Sequence, residues 1–152
     1  MRVVTTRAVP LTSPAYAAEL GKLKRWRDAR WIAWAPELMH IPTGRWLAER
    51  GLGEACVLRT NHFGSQLGAA EAGLGVVLAA EVFSAVRRLV PVVTARSLAA
   101  DRDALPHEEL WLVGHRALRG VQRIAALWEF LSRELAPPDR AAEFVPGGVR
   151  RR

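Results

Sequence analysis

Residues 58–76 read Leu58-Arg-Thr-Asn-His-Phe-Gly-Ser-Gln-Leu-Gly-Ala-Ala-Glu-Ala-Gly-Leu-Gly-Val76, and this stretch decides the architecture. Residues 56–60 have the length and apolar content of a strand. Asn61 suits the N-cap of a helix over 62–72, because a short polar side chain there can accept from a free backbone amide. Gly73 suits the position just past its end. Residues 75–80 then form an apolar run of strand length. Strand, helix and strand in this order build a parallel or mixed sheet with helices on its faces.

The same alternation extends outward. Residues 3–6 and 8–12 read as an extended lead-in. Ser13-Pro14 opens a helix that Gly21 closes, with Tyr16, Ala17 and Leu20 on one face. Residues 31–34, Trp-Ile-Ala-Trp, read as a buried strand, and 44–50 as a helix stopped by Gly51-Leu-Gly53. Downstream, 81–88 predicts two helical turns with Val82, Phe83 and Val86 inward. Residues 89–93 predict a strand that Pro91 confines to an edge. Residues 94–107 lack periodicity and read as a connection. A strand over 109–114 precedes the clearest helix, 119–135, whose stripe is Val121, Ile124, Ala125, Trp128, Leu131 and Leu135. Pro137-Pro138 ends it, and 137–152 reads as a frayed basic tail. No internal repeat is present.

Composition bounds the function. The 152 residues are 50% hydrophobic and 24% charged, which fits a globular chain rather than a disordered one. The formal net charge is +7. Lysine occurs only at Lys22 and Lys24, so the basic character is arginine. This balance permits an acidic partner without requiring one. Cys56 is the single cysteine, which excludes an intrachain disulfide and a cysteine metal cluster. The apolar run near residues 76–80 is far shorter than the roughly 20 residues of a membrane helix, and no secretory signal opens the chain. The expectation is a cytoplasmic protein in a reducing compartment, without membrane contact.

Motifs for catalysis and for DNA reading fail on inspection. Residues 66–89 have the outline of a helix-turn-helix, but the second segment, Val76-Val-Leu-Ala-Ala-Glu-Val-Phe-Ser84, lacks the Arg, Lys, Asn or Gln that would read bases. Gly64-Ser65 lacks the glycine that completes a nucleophile elbow. His107-Glu108-Glu109 lacks the second histidine of a zinc protease helix. The four histidines are scattered and read as surface or capping residues, and Cys56 as an inert buried thiol. Most of the six tryptophans belong to apolar faces. Trp34 differs, because it ends a strand beside a Pro-bounded loop and can line a cleft. No enzyme activity, metal or cofactor is expected.

Thr60, Asn61, His62, Phe63, Gly64 and Ser65 form the candidate site. They join the carboxyl end of a predicted strand to a helix N-terminus, where open amides and the helix dipole favour an anion. Ligands of open α/β sheets bind beyond the carboxyl ends of strands. Thr12, Ser13 and Trp34 each end or follow a neighbouring predicted strand and are expected to approach the same space. Simple helix capping explains the segment equally well.

Three further stretches, taken with 58–76, carry a family resemblance. Val9-Pro-Leu-Thr-Ser-Pro-Ala-Tyr16, Arg87-Arg-Leu-Val-Pro-Val92 and Glu109-Leu-Trp-Leu-Val113 with its following helix resemble, in order and spacing, the effector-binding domain of LysR-type transcriptional regulators. The resemblance spans roughly residues 9–135. It implies a type 2 periplasmic-binding-protein-like lobe, with a mixed sheet covered by helices, plus the remnant of a second lobe. In that mapping 1–9 is the crossover between lobes, 10–93 the second effector-binding lobe, and 94–136 the return to the first lobe. The family implies a small-molecule effector and a homo-oligomer in the full-length regulator, while Asn61, His62 and the helix N-terminus lean toward an anionic effector. The winged helix-turn-helix of the family has no counterpart in the sequence, so sequence-specific DNA binding by this chain alone is not expected. Neither have the opening elements of the first lobe, which makes the chain look like a fragment, a truncated product or the result of a wrongly chosen start. The 119–135 stripe would then be left partly wet, at about 1.5–3 kcal/mol for each large side chain. A stand-alone small-molecule-binding protein of the same fold, or an α/β enzyme with an unrecognised site, are the competing readings.

Overall fold

The computed structural model describes residues 1–118 and 120–135, so the expected tail at 137–152 lies outside the described residues. The lead-in is a single strand, β1 (Arg2–Thr12). Ser13 caps α1 (Pro14–Leu20), its hydroxyl accepting from the Tyr16 amide at 3.2 Å. Gly21 ends that helix at φ +58, a backbone conformation that side chains disfavour. Next come β2 (Trp31–Trp34), α2 (Pro42–Glu49) and β3 (Cys56–Thr60). Helix α2 starts two residues before the expected 44 because Pro42 serves as its first residue, where a missing amide hydrogen costs nothing. Then α3 (Phe63–Glu71) leads into β4 (Val76–Ala80), with Gly73 between them at φ +79.

The strands lie in the order β3-β2-β4-β1, followed at the edge by β5 (Val90–Pro91). Strands β3, β2 and β4 are parallel to one another, whereas β1 runs antiparallel to β4 and to β5. The sheet is therefore mixed, and Pro91 sits on an edge strand, where its missing amide leaves no inner ladder bond unmade. A sixth strand, β6 (His107–Trp111), also pairs with β1.

Alternation along the strands sorts the core onto two faces. Trp31, Ala33, Val76 and Leu78 pack with Tyr16 of α1 and with Trp46 and Leu47 of α2. On the same side Trp26, Trp31 and Trp46 form one aromatic cluster, with the Trp26 and Trp46 rings 5.0 Å apart edge to face. On the other face Leu11, Ile32, Val77 and Ala79 pack with Leu67 and Ala70 of α3.

Three local expectations change. The segment after β4 makes one turn, α4 (Phe83–Val86), instead of two. The Glu81 carbonyl accepts from both the amide and the hydroxyl of Ser84, and the chain turns extended at Arg87. A single turn presents one inward position, taken by Phe83, so Val82 and Val86 are 58% and 67% exposed. Residues 94–107 are more than a connection: a turn at Arg96–Leu98 and α5 (Ala99–Asp103) place Leu98 and Leu105 in the tryptophan-bearing core. Five helical residues are too few to show a 3.6-residue period. Strand β6 runs over His107–Trp111 instead of the expected 109–114, and it pairs with β1.

Residues Thr6–Glu108 form one compact unit, which includes 94–108 through the burial of Leu98 and Leu105. Met1–Thr5 and the segment from Glu109 form the other. Within this smaller unit, Met1 and Leu112 exchange backbone hydrogen bonds at 2.9 and 2.8 Å, and the Arg2 guanidinium donates to Glu109 at 2.8 Å. Its helix, α6 (Gln122–Glu134), buries no residue. The stripe residues Ile124, Trp128 and Leu131 are only half-buried. No helix among the described residues is long and apolar enough to cross a membrane.

Candidate functional site

Strands β2 and β3 pair in register with Trp34 opposite Thr60, so both end at one edge of the sheet. Beyond that level the Ala35 amide still donates to the Thr60 carbonyl at 3.1 Å, and the amide of Gln66 reaches the same oxygen at 3.4 Å. The Thr60 hydroxyl accepts from the His62 backbone amide at 3.1 Å. That bond tightens the turn and moves the start of the helix one residue on. His62, not Asn61, is consequently the N-cap of α3, with its Nδ1 accepting from the Ser65 amide at 3.2 Å. Asn61 is exposed in the turn, and its side chain makes no hydrogen bond among the described residues.

The capping arrangement determines what the edge offers. The Ser65 amide is shared between the His62 carbonyl at 3.1 Å and the His62 ring, and the backbone amide of Gln66 goes to the same carbonyl at 3.3 Å. The amides of Phe63 and Gly64 are the first-turn donors left without an intrahelical acceptor. Phe63 itself belongs to an aromatic wall. The Phe63 ring lies near-parallel to Trp34, centroids 5.9 Å apart and planes at 19°, and meets Phe83 edge-on at 5.3 Å. Trp34 is fixed on its other side by the Thr43 hydroxyl, which accepts from the indole nitrogen at 3.0 Å. Donors next to a stacked aromatic pair suit a small molecule with an anionic group and an apolar or ring face.

Thr12 and Ser13 do not reach this edge. Because β1 runs antiparallel to β4, the pairing of Leu11 with Val77 puts Thr12 level with the start of β4. Trp34 lies three residue steps further along the parallel strands, about 10 Å away in the strand direction. Both side chains are buried and employed elsewhere: the Thr12 hydroxyl donates to the Gly75 carbonyl at 2.7 Å, and Ser13 caps α1.

Residues that the sequence did not single out complete the edge. Thr43 carries no local signal, and Phe83, expected inward, shows no local sign that it meets Phe63, since each arrives from a different element. Gln66 does carry one: it is fully buried at a position that shares the inward face of α3 with Leu67 and Ala70. Glu108 comes to the carboxyl end of β4, where burial pushes its pKa up against an opposing hydrogen bond from the Ala80 backbone.

Ser65 Oγ lies 3.1 Å from His62 Nδ1, the separation of a nucleophile and its base. The same nitrogen already accepts the Ser65 amide, and no carboxylate orients the ring among the described residues. The geometry is that of a cap. His115 acts similarly, its Nδ1 accepting from the Ala117 amide at 3.3 Å, and all four histidines are exposed. The Cys56 thiol donates to the Leu52 carbonyl at 3.3 Å, and burial raises its pKa despite the opposing charge of Arg59, as befits an unreactive thiol. No group of three or more His, Cys, Asp or Glu side chains among the described residues could hold a metal ion.

No family model matches the sequence, and no curated protein matches it. Solved structures do match the fold. The regulatory domain of CrgA, a LysR-type transcriptional regulator from Neisseria meningitidis, superposes with a TM-score of 0.63 at 16% identity, over 90% of this chain and 68% of that one. The effector-binding domain of QuiR, solved in complex with shikimate, superposes with a TM-score of 0.52 at 10% identity, over 95% of this chain and 66% of that one. The chain thus spans about two thirds of the length of each domain. It has the fold of the effector-binding domains of LysR-type transcriptional regulators, a periplasmic-binding-protein-like mixed sheet covered by helices.

Proposed function

We propose that this chain senses a small-molecule effector as part of a LysR-type transcriptional regulator, and that the effector sits at the carboxyl edge formed by Trp34, Thr60, Asn61, His62, Phe63, Gly64 and Ser65. The observation that carries this reading is the pair of open amides at Phe63 and Gly64 beside the Trp34–Phe63 stack. The amides take the anionic group and the aromatic wall takes the body of the ligand. Asn61, exposed and without a hydrogen-bond partner among the described residues, supplies a further donor and acceptor. QuiR, with the same fold, was solved with shikimate, a small ring acid of the kind such an edge would hold. The protein works in the cytoplasm, where the regulator meets DNA as a homo-oligomer. The chain by itself does not read DNA sequence, and weak retention on DNA by its arginines falls steeply with salt.

Titration with shikimate and a panel of small ring and chain carboxylates, followed by amide chemical shifts, tests the proposal. A ligand is expected to move the amides of Asn61, Phe63 and Gly64 and the indole signal of Trp34. Trp34→Ala is expected to weaken binding about two- to tenfold, given the roughly 0.5–1.5 kcal/mol of a stacked aromatic contact. Ligand-induced shifts that cluster elsewhere, or affinity unchanged by Trp34→Ala, would remove the edge as the site. Hydrolysis of an activated ester at equal rates by the wild-type chain and Ser65→Ala is expected, and a serine-dependent rate would instead revive the enzyme reading.

A further inference from the structure

We propose that a depression at the opposite end of the sheet from Trp34 binds a compact dianion, a small molecule carrying a phosphate or two carboxylates. The depression has a volume of about 530 Å³. That lies within the range of small-molecule pockets. One wall is the α1 cap around Ser13, the floor is the Glu71–Gly73 turn, and the far wall is the Arg87–Val90 segment. Arg87, Arg88 and Glu71 are among the residues that line it, two cations to one anion.

The carboxylate is already committed. Glu71 Oε2 pairs with Arg87 at 3.5 Å, and Glu71 Oε1 accepts from the Arg88 backbone amide at 3.1 Å. Glu71 thereby holds the wall in place, while the Arg88 guanidinium has no hydrogen bond or ion pair among the described residues. The floor is fixed from behind. Arg30 donates to the Gly73 and Leu74 carbonyls at 3.2 and 3.1 Å and lies 4.1 Å from the Tyr16 ring centre. Gly73 packs so tightly on the cap that a Cβ there would come within 3.2 Å of Ser13 Oγ. Both walls and the floor are therefore ordered before a ligand arrives, which lowers the entropy cost of binding. A planar guanidinium with its donors open can grip two oxygens of one phosphate or carboxylate at once, which chloride cannot offer. The seven-residue α1 contributes shape only.

The test uses the whole chain, with inorganic phosphate and succinate as probes at constant ionic strength in sodium chloride. Either probe is expected to shift the amides of Ala15, Gly73 and Arg88. Arg88→Ala is expected to weaken that binding about tenfold or more, and Arg88→Lys to restore only part of it. Shifts from phosphate alone assign a phosphoryl ligand, and shifts from succinate alone a dicarboxylate. The proposal is overturned if neither probe shifts these amides, if Arg88→Ala binds as tightly as the wild type, or if the shifts centre on Asn61–Ser65. The last outcome would leave the effector edge intact, so the two proposals fail separately.

Discussion

Helix α2 spans eight residues and buries Thr43, Gly44, Trp46 and Leu47, whereas α6 spans thirteen and buries none. Both have an apolar stripe at helical spacing. The difference lies in what each helix has to cover. In the compact unit of Thr6–Glu108, strands β2 and β4 are buried throughout or nearly so, and they present large inward side chains to helices on both faces. In the smaller unit, Val3 is the one buried apolar residue among the described ones, while Trp111 is 55% and Val113 83% exposed. A two-stranded ribbon is marginal by itself, and one helix on it buries too little to offset the entropy of ordering. An amphipathic pattern therefore states which face favours burial. The area of sheet available decides whether burial happens.

The largest expected effect is in the tryptophan cluster. Trp31→Ala should destabilise the compact unit by about 3–5 kcal/mol, read from the urea midpoint. Trp111→Ala in the smaller unit should cost under about 1 kcal/mol, because that ring is half in water already. Equal losses from the two substitutions would erase the distinction between the units.

Native-state hydrogen exchange should sharpen the same contrast. Amides of Val76, Val77 and Leu78 should exchange at least about a hundredfold more slowly than those of Ile124 to Leu131, because local opening is easier where few apolar contacts are lost. Comparable protection of both segments would mean that α6 belongs to the cooperative core. At the level of a single cap, Ser13→Ala should cost about 1 kcal/mol and fray α1 without moving the exchange of α6.

The smallest effect is an opposition between neighbours in sequence. Burial raises the pKa of Glu108, whereas the hydrogen bonds from Arg2 and Trp111 lower that of Glu109. A raised carboxyl favours the folded state while protonated. Its contribution is complete below the unfolded-state value and is lost as pH rises through the folded one. The lowered carboxyl contributes above its unfolded-state value, and that contribution is lost as pH falls through the folded one. Glu108→Gln should therefore stabilise the compact unit at neutral pH, and Glu109→Gln should slightly weaken the smaller one. Carboxyl shifts titrated by NMR should place Glu108 above Glu109, and the reverse order would show that Glu108 is solvated.

Much of the compact unit was legible because its signals are local. The limits of β2 and β3 follow from apolar runs bounded by turn residues, and α1 from the Ser13-Pro14 start and the Gly21 stop. The strand-to-helix junction at residues 60–65 is equally visible. Its cap is not, because the choice between Asn61 and His62 turns on whether the Thr60 hydroxyl is free to bond the His62 amide. Likewise the short α5 leaves no periodic trace, and its place in the core comes from Leu98 and Leu105 meeting side chains from distant strands.

By itself the sequence determined the strands and helices of the sheet and its covering layers other than the short α5, and that a strand end meets a helix start at Thr60–Ser65. Tertiary structure alone decided the direction of β1. A period of two is identical read in either direction, so no local pattern distinguishes a parallel from an antiparallel neighbour. The antiparallel pairing of β1 with β4 carries Thr12 and Ser13 to the far end of the sheet, beside Arg87 and Arg88, and leaves Trp34 with Phe63 and Phe83 at the other.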